Sequence, residues 1–312
     1  MKRSVNVASG VTIPPLVSIA IPTYNHADVV GAALLSALSQ TYENVEILLF
    51  DNASLDSTRQ VIAEVARGDP RVCYVRNDVN LGMTGNFNAC ISAAKGDFIK
   101  FLCADDLLSP DCVATMVDAF TRNPGVVLVA SARQLVNEKL MPLAIAGVSK
   151  NEKLVDGATA FRDCFFRGNL IGEPTAVMFR REQAVRGFRE NYRQLIDLEM
   201  WMYLLRSGGM YFISRPLCTV RQHPQQATQK HLKSGVVLAD KCQLFREFHR
   251  ELHNPSVLEK LRWDLRMAAT RYKTLLAGGS VIGTGIEETY FPAVFPWFTE
   301  PVARLLLKWA GN

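Results

Sequence analysis

Between residues 17 and 130 the sequence switches repeatedly between two hydrophobic periods, and this alternation limits the possible folds more than any other feature. Val17 to Ile21 is a short apolar run closed by Pro22, the pattern of a buried strand. Val30, Ala33, Leu34, Ala37 and Leu38 then recur at helical spacing, with Asp28 ahead of them as the expected cap. The same pairing repeats: strand at Val45 to Phe50 and helix at Ser57 to Ala66, then strand at Val72 to Val75 and helix at Asn86 to Lys95. A fourth strand, Phe98 to Leu102, precedes a helix that starts near Pro110 and runs towards Phe120, and Val126 to Ala130 is the next strand. Strand and helix in strict alternation imply right-handed crossovers, hence an α/β fold with a mostly parallel, Rossmann-like sheet flanked by helices.

Ligands of such sheets gather at the carboxyl ends of the strands. Three polar clusters fall there: Thr23-Tyr24-Asn25, Asp51-Asn52-Ala53-Ser54, and Ala104-Asp105-Asp106. Any one of them is also what an ordinary solvated loop looks like; their convergence is the functional signal. An Asp-Asp pair after a buried strand is where a divalent cation could be held by carboxylate oxygen, leaving coordination sites for phosphate. The glycine-rich turn of a dinucleotide-binding dehydrogenase is missing after Thr23, and neither a P-loop nor a Gly-x-Ser-x-Gly elbow occurs.

Several ordered segments together resemble glycosyltransferase family 2, the inverting enzymes of the GT-A fold. They are Val17 to Asn25, Gln40 to Ile47, Asp51 to Asp56, Asn80-Leu81-Gly82 with Gly85-Asn86, and Phe101 to Asp106, and the match recurs around Asp197 and His223. The resemblance implies a donor-binding set of Pro22, Thr23, Tyr24, Asn25, Asp51, Asn52, Ser54, Gly82, Asn86, Ala104, Asp105, Asp106 and Arg221. The donor is then a nucleotide-diphosphate sugar, with a UDP-sugar favoured. Gly82 and Asn86 are expected in the loop before the third helix. Where the family often has an acid, Cys103 stands here, which leaves Asp105 as the metal ligand, with His223 completing the site for Mn²⁺ or Mg²⁺.

Inverting transfer needs a base for the acceptor hydroxyl. The resemblance puts Asp197, in Ile196 to Trp201, on that position; capping the following helix is its competing role. Glu173, in Gly172-Glu173-Pro174-Thr175, is expected near the acceptor or in a plain turn. Trp201 is placed with Glu173 at the acceptor, against a core role suggested by Leu198, Leu204 and Leu205 on its helix. The acceptor expected is a glycan or a lipid-linked one, in polysaccharide or glycolipid assembly. The alternative is a non-catalytic sugar-nucleotide-binding or scaffold protein of the same fold.

On this reading residues 1–230 form the GT-A domain, with a donor half over about 14–130 and an acceptor and base half over about 131–230. Helices are expected over Asp156 to Phe166 and Leu195 to Leu205, and strands over Thr175 to Phe179 and Met210 to Ser214. Residues 231–312 form a helical C-terminal extension, with long helical patterns from His231 to Arg250 and from Val257 to Leu276, then an aromatic tail around Tyr290 to Phe298. Val302, Leu305, Leu306 and Trp309 share a helical face, with Arg304 and Lys308 off it, so the tail suits either peripheral membrane contact or docking on the protein itself.

A net charge of +5 among 312 residues is too mild for nucleic acid as a partner. Seven cysteines without a C-x-x-C pair suggest neither a disulfide framework nor a zinc site, and fit reduced thiols in the cytoplasm. No apolar run has bilayer-spanning length, and Pro14, Pro15 and Pro22 interrupt the apolar residues after the basic Met1-Lys2-Arg3 start. The expected location is cytoplasmic, peripheral to the inner face of the cell membrane where the tail engages it.

Overall fold

The computed structural model describes residues 14–222 and 234–276. Five strands and four helices carry the first part of the chain: β1 (Val17–Thr23), α1 (Val30–Leu38), β2 (Val45–Asp51), α2 (Thr58–Ala66), β3 (Val72–Arg76), α3 (Gly82–Ala93), β4 (Phe98–Phe101), β5 (Leu107–Leu108) and α4 (Cys112–Arg122). Then come β6 (Val126–Val136), β7 (Pro142–Ala146), β8 (Lys153–Val155), α5 (Gly157–Arg167), β9 (Val177–Arg180), α6 (Ile196–Leu204) and β10 (Gly209–Arg221). Two further helices follow, α7 (Val236–Phe248) and α8 (Val257–Leu276).

One sheet runs in the order β3-β2-β1-β4-β9-β6-β10-β5, with β7 on β6 and β8 on β10. Every residue of β1 is buried, because β1 lies between β2 and β4, parallel to both. This is why its sequence is a continuous apolar run with no alternation. The expected parallel sheet is found over β3, β2, β1 and β4 and again between β6 and β10. Elsewhere it is mixed: β9 runs antiparallel to both β4 and β6, and β5, β7 and β8 also pair antiparallel.

Local chemistry moves several boundaries. Asp28 does not cap α1; the first turn is closed by Val29 and Val30 N–H donating to the His26 carbonyl. Helix α3 begins at Gly82 (φ +73°), so Gly82 opens the helix and Asn86 lies inside it, not in the loop before it. Residues 174–176 form a 3-10 turn initiated by Pro174, and β9 starts only at Val177. Asp156 does cap α5, accepting from Thr159 N–H at 2.9 Å.

The two C-terminal helices pack on α5. Phe161 meets Phe248 edge-on at 5.6 Å, Phe165 stacks on Trp263 at 4.4 Å, and the Arg162 guanidinium donates to Glu259 at 2.6 Å. No helix among the described residues is long and apolar enough to cross a membrane. His223 and the aromatic tail lie outside the described residues.

Candidate functional site

The register Thr23↔Asp51 brings the ends of β1 and β2 together, and the loops that follow them interlock. Asn25 adopts φ +53° and Ala53 φ +63°, the left-handed region that asparagine tolerates better than most residues. Asn25 N–H donates to Ser54 Oγ at 2.8 Å, and Asn25 Oδ1 accepts from Leu55 N–H at 2.8 Å. Asp51 is fully buried; its oxygens accept from Ser54 N–H at 2.8 Å and from the Tyr74 hydroxyl at 2.7 Å. Burial, then that carboxylate, push the Tyr74 phenol well above its ordinary range.

Asn52 and Asn86 are equally committed. Asn52 donates to Asn80 Oδ1 and the Gly82 carbonyl and accepts from Asn77 and Leu81 N–H. Asn86 donates to the Phe50 carbonyl at 2.9 Å and accepts from Asn77 at 2.9 Å. These side chains shape the loops around them. Thr23 Oγ1 and His26 Nδ1 differ: both are buried and have no hydrogen-bond partner among the described residues. The Tyr24 side chain, two-fifths exposed, rims the same loops next to Pro22 of β1.

The loop after β4 carries Ala104, buried, Asp105, partly exposed, and Asp106, buried. Asp106 accepts from Thr175 Oγ1 at 2.6 Å and from Arg221 N–H at 2.9 Å. Burial, reinforced by the neighbouring Asp105 charge, holds the Asp106 carboxyl well above the usual carboxylate range. Arg221 also donates to the carbonyls of Asp105 and Glu138, which ties the end of β10 over this loop. Beneath it, the fully buried Lys100 ammonium donates to the carbonyls of Phe101, Thr175 and Val177. Burial pushes the Cys103 thiol up as well, and its sulfur suits soft metals better than Mn²⁺ or Mg²⁺. Asp105, an oxygen donor with solvent access beside a second carboxylate, fits Mn²⁺ or Mg²⁺. Among the described residues no group of three metal-ligating side chains assembles.

Thr175 connects this loop to the segment between α5 and β9. Its Oγ1 also accepts from Cys103 N–H at 3.0 Å. Just before it, Gly172 takes φ +122°, and its carbonyl accepts from Asn169 at 3.2 Å and from the Trp201 indole at 3.0 Å. Asn169 donates also to Asp197 at 2.7 Å, and Asp197 accepts at its other oxygen from Leu198 N–H at 2.7 Å. Asp197 therefore sits in the first turn of α6, joined to the Gly172 loop by one asparagine. Burial, and next in effect among charges Glu173, push the Asp197 carboxyl up to about 7. Glu173, with a side chain 43% exposed, pairs with Arg133 of β6.

Trp201 needs a correction. Its ring is fully buried, beside Phe179 and Phe188, so it offers no face to a sugar; it supports the site by holding the Gly172 carbonyl. Sequence reasoning did not single out Asn169, Arg133, Lys100 or Thr175 for these roles. The one signal that could have marked two of them is a charge in or just beyond an apolar strand run, at Lys100 and Arg133.

A family profile described as Glycosyl transferase family 2 matches residues 18–186. An uncharacterized protein of Mycobacterium tuberculosis is 32% identical over 219 residues, 67% of this chain and 67% of that protein. The chondroitin synthase of Pasteurella multocida is 36% identical over 205 residues, 64% of this chain but 20% of the synthase. Among solved structures, a Pyrobaculum calidifontis mannosyltransferase in complex with GDP-Man and Mn²⁺ aligns over 100% of this chain and 92% of its own, at a TM-score of 0.60 and 18% identity. S. aureus TarS in complex with UDP-GlcNAc aligns over 87% of this chain and 90% of its own, at a TM-score of 0.57 and 16% identity.

Proposed function

Because the chain belongs to glycosyltransferase family 2, and so transfers a sugar from a nucleotide-sugar donor, we propose that it does so with inversion, using Asp197 as the base and a divalent metal held by Asp105 and His223. The donor is a nucleotide-diphosphate sugar, with UDP-sugars favoured; the neighbours in fold bind UDP-GlcNAc and GDP-Man. Its nucleotide lies across the loops after β1 and β2, where Thr23 Oγ1 has no partner among the described residues and Tyr24 offers a partly exposed ring. Asp51, Asn52, Ser54, Gly82 and Asn86 act there chiefly by holding those loops in shape. Asp106 and Ala104 set the position of Asp105, and Arg221 closes the loop from the β10 side.

Mn²⁺ or Mg²⁺ supplies neutralisation of the charge that develops on the leaving diphosphate. The acceptor hydroxyl approaches beside Glu173, and Asp197 takes its proton as the new glycosidic bond forms and the bond to the diphosphate breaks. The observation that most supports this reading is that one short segment, residues 172–175, is tied at Thr175 to Asp106 and at Gly172, through Asn169, to Asp197, a carboxyl of raised proton affinity. The acceptor is a glycan or lipid-linked glycan in polysaccharide or glycolipid assembly, reached from the cytoplasmic face of the membrane.

The test uses nucleoside diphosphate release from UDP-GlcNAc and GDP-mannose. Chelation should abolish release, Mn²⁺ or Mg²⁺ should restore it, and Asp105→Ala should lose most of it while the melting temperature holds. Asp197→Asn should cut turnover by roughly a hundredfold with nucleotide affinity intact. Full turnover in excess chelator, or in Asp197→Asn, would overturn the metal or the base assignment respectively.

A further inference from the structure

The first backbone N–H groups of a helix have no partner within it and need one from elsewhere. At α6 the local sequence supplies no side-chain cap. The segment just ahead of the helix is instead held from α7. Asp240, 4% exposed, takes hydrogen bonds at a single oxygen from the backbone N–H groups of Arg193 at 3.0 Å, Gln194 at 2.6 Å and Leu195 at 2.9 Å. These are the residues that lead into α6, and Asp197 stands in its first turn. A carboxylate accepting three N–H bonds at a helix start fixes both the direction of the incoming chain and the rotation of the first turn.

A second tie lies one heptad further along the same face of α7. The fully buried Glu199 of α6 is gripped by Arg186 through two bonds, at 2.8 and 2.7 Å, with Arg189 at 3.7 Å. Arg189 in turn pairs with Glu247 of α7 at 3.0 Å, and Tyr192 donates its hydroxyl to the same Glu247 carboxylate at 3.0 Å. Helix α7 thus holds the segment that leads into α6 at two points, Asp240 on residues 193–195 and Glu247 on Arg189 and Tyr192. Both lie beyond residues 18–186, the span of the family match.

We propose that Asp240 is a positioning residue for Asp197, so that the C-terminal extension takes part in catalysis by holding the base in register with the acceptor. The inference rests on the reading of Asp197 as the base. Asp240 touches neither donor nor acceptor. Its effect is on the placement of the Asp197 carboxyl, whose charged surroundings are Glu173 from the acceptor loop and Arg133 from β6. Cys164 of α5 is a further titratable neighbour.

The experiment compares full-length Asp240→Ala, Asp240→Asn, Asp197→Asn and Phe248→Leu. Phe248 packs α7 against Phe161 of α5 and lies under Arg206, beyond the C-terminal end of α6, so its substitution reports on docking of α7. Turnover is read as nucleoside diphosphate release from UDP-GlcNAc and GDP-mannose with Mn²⁺, and amide hydrogen exchange is followed over residues 193–204. Asp240→Ala should lower kcat by about tenfold or more with donor KM within about twofold, and should speed exchange in the first turn of α6. Asp240→Asn, which keeps an acceptor oxygen, should recover most of the turnover; Phe248→Leu should leave kcat near that of the parent. Unchanged exchange at α6 in Asp240→Ala overturns the proposal whatever the substrate. An equal fall of kcat in Phe248→Leu also overturns it, by reducing Asp240 to a docking contact. Normal turnover in Asp197→Asn instead removes the base assignment beneath it, whereas an inactive Asp197→Asn beside a fully active Asp240→Ala removes only the positioning role.

Discussion

At Asp197 opposing influences act on one carboxyl. Burial and the Glu173 charge favour the protonated form, whereas the Leu198 N–H and Arg133 favour the carboxylate. The balance near pH 7 suits a base, which must be deprotonated to accept a proton yet basic enough to hold it. Turnover should therefore climb with pH and level off above about 7 to 8. Asn169→Ala removes a donor at 2.7 Å from the carboxylate, so the midpoint of the pH–rate profile should move upward by about 0.5 to 1, with nucleotide affinity unchanged. A profile that stays in place would remove Asn169 from control of this proton. The same shift bears on stability. A carboxyl whose folded value lies above its unfolded value of about 4 is held protonated by the folded chain across that interval, so its contribution to stability declines as pH rises from about 4 to about 7. Asp197→Asn, which mimics the protonated form, should thus be the more stable protein at pH 8, on the order of 1–3 kcal/mol by denaturant titration, though inactive.

At the scale of elements, the loop between α5 and β9 joins the two ends of the site, and Gly172 makes its shape possible. A Cβ there would meet the Arg133 guanidinium at 3.1 Å, and its φ of +122° is one that L-residues rarely adopt. Gly172→Ala should cost about 1–3 kcal/mol and displace the carbonyl shared by Asn169 and Trp201. Transfer should fall while nucleotide binding, which depends on the β1 and β2 loops, survives; parallel loss of both by calorimetry would contradict this division. None of this geometry was legible beforehand, because residues 168–172 have no hydrophobic period to read. The first strands were legible to within a few residues, since β1 and β2 are buried on both faces and their apolar runs stop one or two residues short of the strand ends. Reading failed where strands turn polar. Strand β6 continues past Ala130 through Ser131, Arg133 and Gln134 to Val136, and its polar end is the part that reaches Glu173. Strand β10 runs through Pro216, a residue that normally ends a strand, because its pairing with β6 shifts register on either side of that proline. The candidate site was visible as residue types at strand ends; the supporting Asn169 and Lys100 were not, since their roles arise only from long-range packing.

At the scale of the whole molecule, we propose that the helical extension beyond residue 230 is needed for the transferase part to stay folded. Helices α7 and α8 cover the aromatic face of α5, where Phe161 and Phe165 meet Phe248, Phe245 and Trp263. Each large side chain kept from water contributes about 1.5–3 kcal/mol, so losing this layer would remove an amount comparable with the 5–15 kcal/mol that separates a typical folded domain from its unfolded state. The Arg162–Glu259 and Arg206–Glu251 pairs would be broken as well, which leaves Arg162 beside exposed rings. A chain ending at residue 230 should therefore aggregate or melt far below the parent, and its freed α5 face should bind a hydrophobic dye. A chain ending at residue 276 keeps α7 and α8 and should remain folded. It then isolates the aromatic tail: flotation with anionic liposomes that is present in the full chain and lost at 276, with nucleotide binding unchanged, would assign the tail to the membrane. Loss of stability at 276 without any flotation of the full chain would assign it to docking on the protein. A soluble, cooperatively melting chain ending at 230 would show that the transferase part folds without α7 and α8, and its turnover would then read the contribution of α7 directly.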